Sequence, residues 1–414
     1  MPDLRPVRGT RDFLPDDSRL RRQVEAAAER AACGYGYGEV ATPIFEFTEV
    51  FARTLGDTSD VVTKEMYTFA DRGGESITLR PENTAGIVRA FISNGMTQQL
   101  PFRAFYRGPM FRYERPQKGR LRQFHQVGVE LLGVADPLAD VEVIALAYDF
   151  LAALGLADGI SLELNSLGDG DSRAAYRAVL VDYLQAHLGE LSEDSRTRLE
   201  RNPLRVLDSK DEADRRIVAE APLLIDHLND ASRAFFERMT AGLTALGIPY
   251  VHNPRLVRGL DYYCHTAFEF TTQALGAQGT VLAGGRYDGL VKQMGGPATP
   301  GTGWAAGVER LMELVGTPAA QPRPVVVIAL GAEQQTAALA LARRLRARDL
   351  TVVFAYGSNL GKQMKWANRM NARMAVIVGS DELAREVAAV RDMDTGAQEE
   401  VAFAVLDDHL APAA

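Results

Sequence analysis

Cysteine is nearly absent. Cys33 and Cys264 are the only two in 414 residues and form no C-x-x-C arrangement, so neither a disulfide framework nor a zinc cluster is indicated. Histidine is scarce as well: the six present are scattered without metal-ligand spacing, and no metal ligand is named by the sequence. No stretch approaches eighteen uninterrupted apolar residues, which excludes a membrane-spanning helix. The first residues, Met1-Pro2-Asp3-Leu4-Arg5, lead into charged sequence without an apolar h-region, and the chain reads as cytosolic, with no membrane partner. Two phosphate-binding fingerprints are also missing. Gly301 to Gly307 lacks the Lys-Ser/Thr end of a Walker loop, and Gly284-Gly285-Arg286-Tyr287-Asp288-Gly289 fails the G-x-G-x-x-G spacing, which leaves a tight turn between sheet and helix as one reading of it.

What is present is the composition of an ordinary globular protein, 46% apolar and 24% charged. The length implies two or three domains with developed cores. A net charge of −8 argues against wholesale nucleic-acid binding, yet it hides two local asymmetries. Arg103 to Arg122 holds seven basic residues and one acid, Glu114; Arg343 to Arg373 holds eight against Asp349 alone. Either cluster alone reads as a solvated face. Two together fit a polyanion touched at two places.

Along the chain, residues 16–33 carry helical spacing at Leu20, Val24, Ala27, Ala28 and Ala31, with Asp16 or Asp17 as N-cap and glycines 34, 36 and 38 as the stop. Residues 39–44 predict a strand with Pro43 at an edge or interface, and this helix–strand–proline sequence fits a dimer surface. Short alternating runs at 66–69, 76–79, 104–107, 110–113 and 124–130 predict antiparallel strands. A helix is expected over 138–155, a helical insertion over 169–245, and further strands near 250, 267–271 and 280–283. The run 316–324 sets three prolines among small and polar residues and marks a linker. Beyond it, a β-α-β rhythm predicts a small α/β domain with a mainly parallel sheet.

Several residues are suited to carry chemistry. On a strand Arg112 and Glu114 face the same way, so a guanidinium clamps a phosphate while the carboxylate reads an exocyclic amine; Phe124 is placed to stack a base. A surface hairpin with salt bridges is the competing reading. Arg310 lies one turn after Gly307, and the glycines at 301, 303 and 307 let backbone approach a ligand closely; a plain surface arginine is the alternative. Glu82 and Glu130 sit at or near strand ends and, facing a pocket, suit an amino group and an imidazole nitrogen. Of the pair Tyr262-Tyr263 at least one is expected in the core, since strand neighbours face opposite sides.

Read together, Pro43 after its helix, Phe111-Arg112-Tyr113-Glu114 and Gly307-Val308-Glu309-Arg310 resemble the three signature motifs of class II aminoacyl-tRNA synthetases. Leu256 to Tyr263 and Ala283 to Gly289 make the resemblance closer to the histidyl-tRNA synthetases, and it runs over essentially the whole chain. It implies an α/β and α+β multidomain protein. A class II catalytic domain over 1–320 would carry a six-stranded antiparallel sheet and the helical insertion, and an anticodon-binding α/β domain would span 323–414. It further implies a homodimer that activates histidine with ATP, releases pyrophosphate, and transfers histidine to the 3′ end of tRNA(His), with Mg²⁺ on the phosphates. Arg258 would be the catalytic arginine, contacting the α-phosphate with Arg112 while Arg310 holds the γ-phosphate; Glu114, Arg120 and Phe124 would complete the ATP site. Glu82, Thr84 and Gln126 would hold the α-amino group, Glu130 and Tyr263 the imidazole nitrogens, with Tyr262 and Tyr287 lining the same pocket. Arg115, Gln117, Lys118 and Arg122 would meet the tRNA acceptor end. One position departs: Asn83 stands where the family carries glycine after the glutamate, and asparagine tolerates a positive φ better than most residues.

Two other readings are open at this level. A regulatory subunit of ATP phosphoribosyltransferase resembles the synthetase core but generally lacks the catalytic arginine segment and the anticodon-binding domain. An RNA-binding scaffold derived from a synthetase would keep the basic patches without needing Glu82, Glu130, Arg258 and Arg310 together.

Overall fold

The computed structural model describes residues 4–55, 61–115, 119–209, 211–258, 262–276, 279–357 and 359–411. The chain divides into two units, Met1–Ala319 and Ala320–Ala414. In the first, the strands in chain order are β1 (Gly38–Glu39), β2 (Phe45–Phe47), β3 (Tyr67–Ala70), β4 (Ser76–Leu79), β5 (Phe102–Phe111), β6 (Gln123–Leu132), β7 (Ser161–Ser166), β8 (Val251–His252), β9 (Cys264–Thr271), β10 (Thr280–Arg286) and β11 (Gly301–Gly307). Eight of them form one sheet in the order β1-β5-β6-β11-β10-β9-β7-β8. Every neighbouring pair from β5 to β7 is antiparallel, which gives a six-stranded antiparallel centre with β1 and β8 added in parallel at its edges. β2, β4 and β3 make a separate small sheet.

One face of the large sheet is closed by the helices Pro15–Gly34, Leu138–Ala153 and Val308–Val315, whose shared core includes Phe105, Val129, Phe150, Trp304 and Leu311. The middle helix is apolar nearly all round, the pattern of a helix without a wet side; its Phe150 stacks on Trp304 at 5.8 Å between ring centres. The first helix begins differently from expectation. Leu14 occupies the N-cap without a side-chain bond and Pro15 opens the first turn, so Asp16 and Asp17 act through charge at the N-terminus and not as caps.

Two strand expectations are corrected. Of residues 39–44 only Glu39, the end of β1, is in a strand, because Pro43 has no N–H and the carbonyls of Thr42 and Pro43 accept from the buried Arg80 guanidinium at 3.0 and 3.5 Å, not from a neighbouring strand. The runs 104–107 and 110–113 are not two strands: the first run and residues 110–111 belong to one strand of ten residues, β5, which ends before Arg112 and Tyr113. Gly108, within that strand, has φ 150°, and a Cβ there would collide with Arg80, so the strand passes that arginine only with glycine at this position.

From 170 to 245 the described residues contain helices and no strand: Gly170–Ala186, Glu193–Arg201, Glu212–Glu220 and Asp230–Ala245 are the α-helices. The first three share their own core of Tyr176, Leu180, Leu199 and Ile217, whereas Met239 and Leu243 of the fourth belong to the core beneath the large sheet.

The second unit holds β12 (Val325–Ala329), β13 (Val352–Ala355), β14 (Met374–Val378), β15 (Val387–Asp392) and β16 (Gln398–Ala402) in the order β13-β12-β14-β15-β16. Two pairings are parallel and two antiparallel, so the sheet is mixed and not mainly parallel. The sequence hid β16 because Gln398, Glu399 and Glu400 are exposed and polar at the sheet edge. Val325 and Val327 face the helix Gln335–Arg346, and Val326 and Ile328 face the helix Leu360–Arg369. The basic cluster is therefore split. Arg344 and Arg348 pair with Asp407 at 3.0 and 3.6 Å on one side, and Lys362, Lys365 and Arg369 stand exposed on the helix of the other.

Beneath the large sheet, Arg286 and Asp140 form an ion pair with both side chains 0% exposed. The guanidinium also reaches the Val134 carbonyl at 3.0 Å and Asp288 at 3.1 Å, tying β10 to the start of the helix Leu138–Ala153. Asp140→Ala leaves a buried charge short of its partner, and we expect about 3–5 kcal/mol lost, measured as the change in unfolding free energy in denaturant.

Candidate active site

A cavity of about 390 Å³ lies over β6, β9, β10 and β11 and has two chemically distinct ends. At one end are two buried carboxylates. Glu82 precedes the helix Thr84–Ser93 and accepts from the Thr84 and Ala85 backbone N–H groups at 2.6 and 3.0 Å, taking up donors that a helix start leaves unpaired. Burial pushes its pKa up, against those two backbone bonds. Glu130, on β6, accepts from the Thr84 hydroxyl at 2.7 Å and from the Tyr287 hydroxyl. Burial pushes Glu130 up to about 8; the bonds from Tyr287 and Thr84 oppose the rise and the Glu82 charge adds to it.

The glycines 301 and 303 have a role other than the expected one. A Cβ at Gly303 would overlap the Glu130 carboxylate and one at Gly301 would overlap the Tyr287 ring, so both glycines make room for protein side chains, while Gly303 also lines the cavity. Asn83 sits at φ −120°, so no positive φ is required there; its Oδ1 accepts from Thr42 at 2.6 Å. Tyr262 and Tyr263 precede β9 and belong to no strand, and both rings line the cavity, 4.6 Å apart. Gln126 lines it too, with Oε1 buried and without a partner.

The other end is cationic. Arg112 and Glu114 follow the last residue of β5, and both line the cavity although neither is in a strand. Arg112 is anchored by the Pro81 carbonyl at 2.8 Å, lies 5.4 Å over the Phe124 ring, and is 3.9 Å from Glu114, which pairs with Arg120 at 3.0 Å. Arg310 donates to the Thr280 carbonyl, and burial together with Arg120 and Arg112 lowers its pKa. Arg258 pairs with Glu269 and lies 5.3 Å from the Tyr263 ring centre, while its Nε is buried without a partner. Asn165 fixes the segment leading to Arg258 by donating to the Pro254 and Leu256 carbonyls at 3.2 and 2.9 Å.

The structure thus brings Glu82, Thr84, Arg112, Glu114, Arg120, Phe124, Gln126, Glu130, Arg258, Tyr262, Tyr263, Tyr287 and Arg310 to one cavity. Arg115 and Arg122 are not among its lining; Arg115 is exposed, and Arg122 donates to the Glu114 carbonyl at 3.2 Å and covers the Tyr113 ring at 3.9 Å. Gln117 and Lys118 lie outside the described residues, as do Gly259, Leu260 and Asp261. Sequence reasoning missed Glu269, which holds Arg258 and the Thr280 hydroxyl. The signal was available: an acid between Phe268 and Phe270 in an apolar strand. Arrayed this way, the cavity suits a ligand with hydrogen-bond donors or positive charge at one end and several phosphates at the other.

A family profile described as "Histidyl-tRNA synthetase" matches residues 9–311, and one described as "Anticodon binding domain" matches 324–411. Histidine–tRNA ligase from Rhodospirillum rubrum is 64% identical over 412 residues, covering 99% of both chains, and that of Gluconacetobacter diazotrophicus is 55% identical over 411 residues, again covering 99% of both. The apo histidyl-tRNA synthetase structure from S. aureus superposes with a TM-score of 0.82 at 35% identity, over 98% of this chain and 99% of that one. The chain belongs to the histidyl-tRNA synthetase family of ATP-dependent class II ligases.

Proposed function

We propose that this cavity joins histidine to AMP and then passes the histidyl group to tRNA(His). The observation that carries the reading is the pairing of a carboxylate-lined end with a cluster of Arg112, Arg120 and Arg310 whose mutual repulsion a triphosphate relieves. Glu82 and the unpartnered Gln126 Oε1 receive the α-ammonium group beside Thr84, and Glu130 and Tyr263 take the two imidazole nitrogens. Tyr287 and Thr84 hold Glu130 from both sides, and Tyr262 packs edge-on to Tyr287 at 5.8 Å. Phe124 stacks the adenine beside Arg112, with Glu114 reading its amine.

The nucleophile is the histidine carboxylate, so no general base is needed. As its oxygen bonds to the α-phosphorus, the bond to the bridging oxygen breaks and pyrophosphate leaves with that electron pair. Charge builds on the nonbridging oxygens, where Arg258 and Arg112 stabilise it more than in the ground state; Arg310 holds the γ-phosphate. Magnesium brought in with ATP would ask for one or two carboxylates, and Glu269 stands beside the phosphate-binding arginines. It would neutralise phosphate charge.

Arg115, Arg122, Gln117 and Lys118 are assigned to the acceptor end of the tRNA, and residues 323–414 to its anticodon. Exposed Ile44, Phe45, Phe47 and Phe69 on and beside the small sheet support a homodimer surface, since a lone chain rarely leaves such a patch wet. Among the described residues no helix is long and apolar enough to cross a membrane, and we place the protein in the cytosol.

Arg258→Ala is expected to slow histidyl-adenylate formation about 10²–10³-fold, measured in single turnover, with histidine affinity within about threefold of wild type. An unchanged rate contradicts the role given to Arg258. The second outcome concerns pH. Glu130 ionises near 8 when folded but at about 4.3 when unfolded, so the folded state keeps a proton that the unfolded chain releases. Its contribution to stability is intact below about 4.3 and falls as pH rises toward 8. Glu130→Gln, neutral in both states, should flatten the decline in melting temperature of the ligand-free protein between pH 5 and 8; parallel curves for the two proteins contradict the assignment.

A further inference from the structure

Between two cavity-lining residues of β6, Phe124 and Gln126, stands His125, whose side chain is absent from the cavity lining and is 8% exposed. Its surroundings are unusual for a strand residue. β5 flanks β6 on one side, with Pro109 opposite His125; on the other side β11 pairs with β6 only as far as Gly307 opposite Gln126, and at Val308 the chain turns into a helix, so on that side no strand receives the backbone N–H of His125. The Glu309 carboxylate takes that place, accepting the N–H at 3.0 and 2.9 Å. The same carboxylate lies 2.9 Å from His125 Nδ1, and the Arg21 guanidinium lies 2.9 Å from Nε2.

These contacts fix the ring. A guanidinium has donors only, so Nε2 is the acceptor and the proton sits on Nδ1, where it donates to Glu309. Phe13 packs edge-on against the imidazole at 5.3 Å and also receives Arg21 on its face at 5.2 Å, which holds both partners in place. Glu309 immediately precedes Arg310, and successive residues of a helix are turned by a fixed angle. Pinning the Glu309 carboxylate therefore sets the direction in which Arg310 leaves the helix, toward the Thr280 carbonyl and the other arginines.

We infer that His125 is a positioning residue for adenylate formation: held between Arg21 and Glu309 in its Nδ1–H form, it sets where Arg310 meets the triphosphate and ties that point to the helix Pro15–Gly34. The inference rests on the activation reading above. It assigns a kinetic part to a side chain that touches neither substrate, and to Arg21, which lies outside the cavity lining.

The test is ATP–pyrophosphate exchange by the full-length protein, with separate KM values for ATP and histidine and a melting temperature for each variant. His125→Ala should lower kcat/KM for ATP about 100-fold while the histidine dissociation constant stays within about threefold. His125→Asn keeps an amide N–H near the Nδ1 position and should recover most of the loss. Arg21→Met should raise the KM for ATP in the same direction by a smaller factor, and it carries the test if His125→Ala does not fold. Unchanged ATP constants in folded His125→Ala, or equal losses in His125→Asn and His125→Ala, overturn the inference and leave a purely structural role. Absence of exchange in the wild-type protein overturns the activation reading itself.

Discussion

The carboxylate of Glu130, buried against a strand that can receive it only because residue 303 is glycine, is the constraint on which the rest of this catalytic unit depends. A carboxylate in that position is costly unless its oxygens are met, and they are met by hydroxyls from two directions: Thr84 at the head of a helix and Tyr287 just beyond β10. Those two residues are thereby fixed relative to β6. Glu82 is fixed with them, through the Thr84 backbone. The aromatic wall of Tyr262 and Tyr263 then closes over a polar floor, and Arg173 steadies it by donating to the Tyr263 carbonyl at 2.8 Å.

The opposite end follows a different physical rule. Arg112, Arg120, Arg258 and Arg310 line one cavity with Glu114 and Glu269 interleaved, so each guanidinium is held by a carboxylate or a backbone carbonyl before any ligand arrives. On the proposed reading such preorganisation places donors where charge would develop, with no reorganisation needed at the moment of reaction. The two ends share β6: Phe124 and Gln126 face the cavity at neighbouring outward positions, and His125 between them is bonded to the helix that carries Arg310.

Much of this was legible in the sequence, for identifiable reasons. Alternation and length marked β3, β4, β6, β9 and β12, and the proline-rich run at 316–324 fell at the boundary of the two units. Residue type in short motifs picked out the side chains that converge on the cavity. What escaped was tertiary in origin. Nothing local says that the Arg80 guanidinium replaces a strand beside Thr42 and Pro43, that Gly108 continues a strand past that arginine, or that Asn83 needs no positive φ. The glycines at 301 and 303 announced a close approach without saying what approaches. Arg286 read as part of a turn and is instead a buried strut bound to Asp140, 146 residues earlier.

The central claim is that one cavity selects histidine and activates it. It is tested most directly by pyrophosphate exchange into ATP with purified protein, each of the standard amino acids supplied in turn. The account predicts exchange with histidine and none measurable with the others, because a site that hydrogen-bonds both imidazole nitrogens rejects side chains lacking them by roughly 10⁴–10⁵-fold. A folded protein that binds histidine yet catalyses no exchange, or one that exchanges as well with an apolar amino acid, contradicts it.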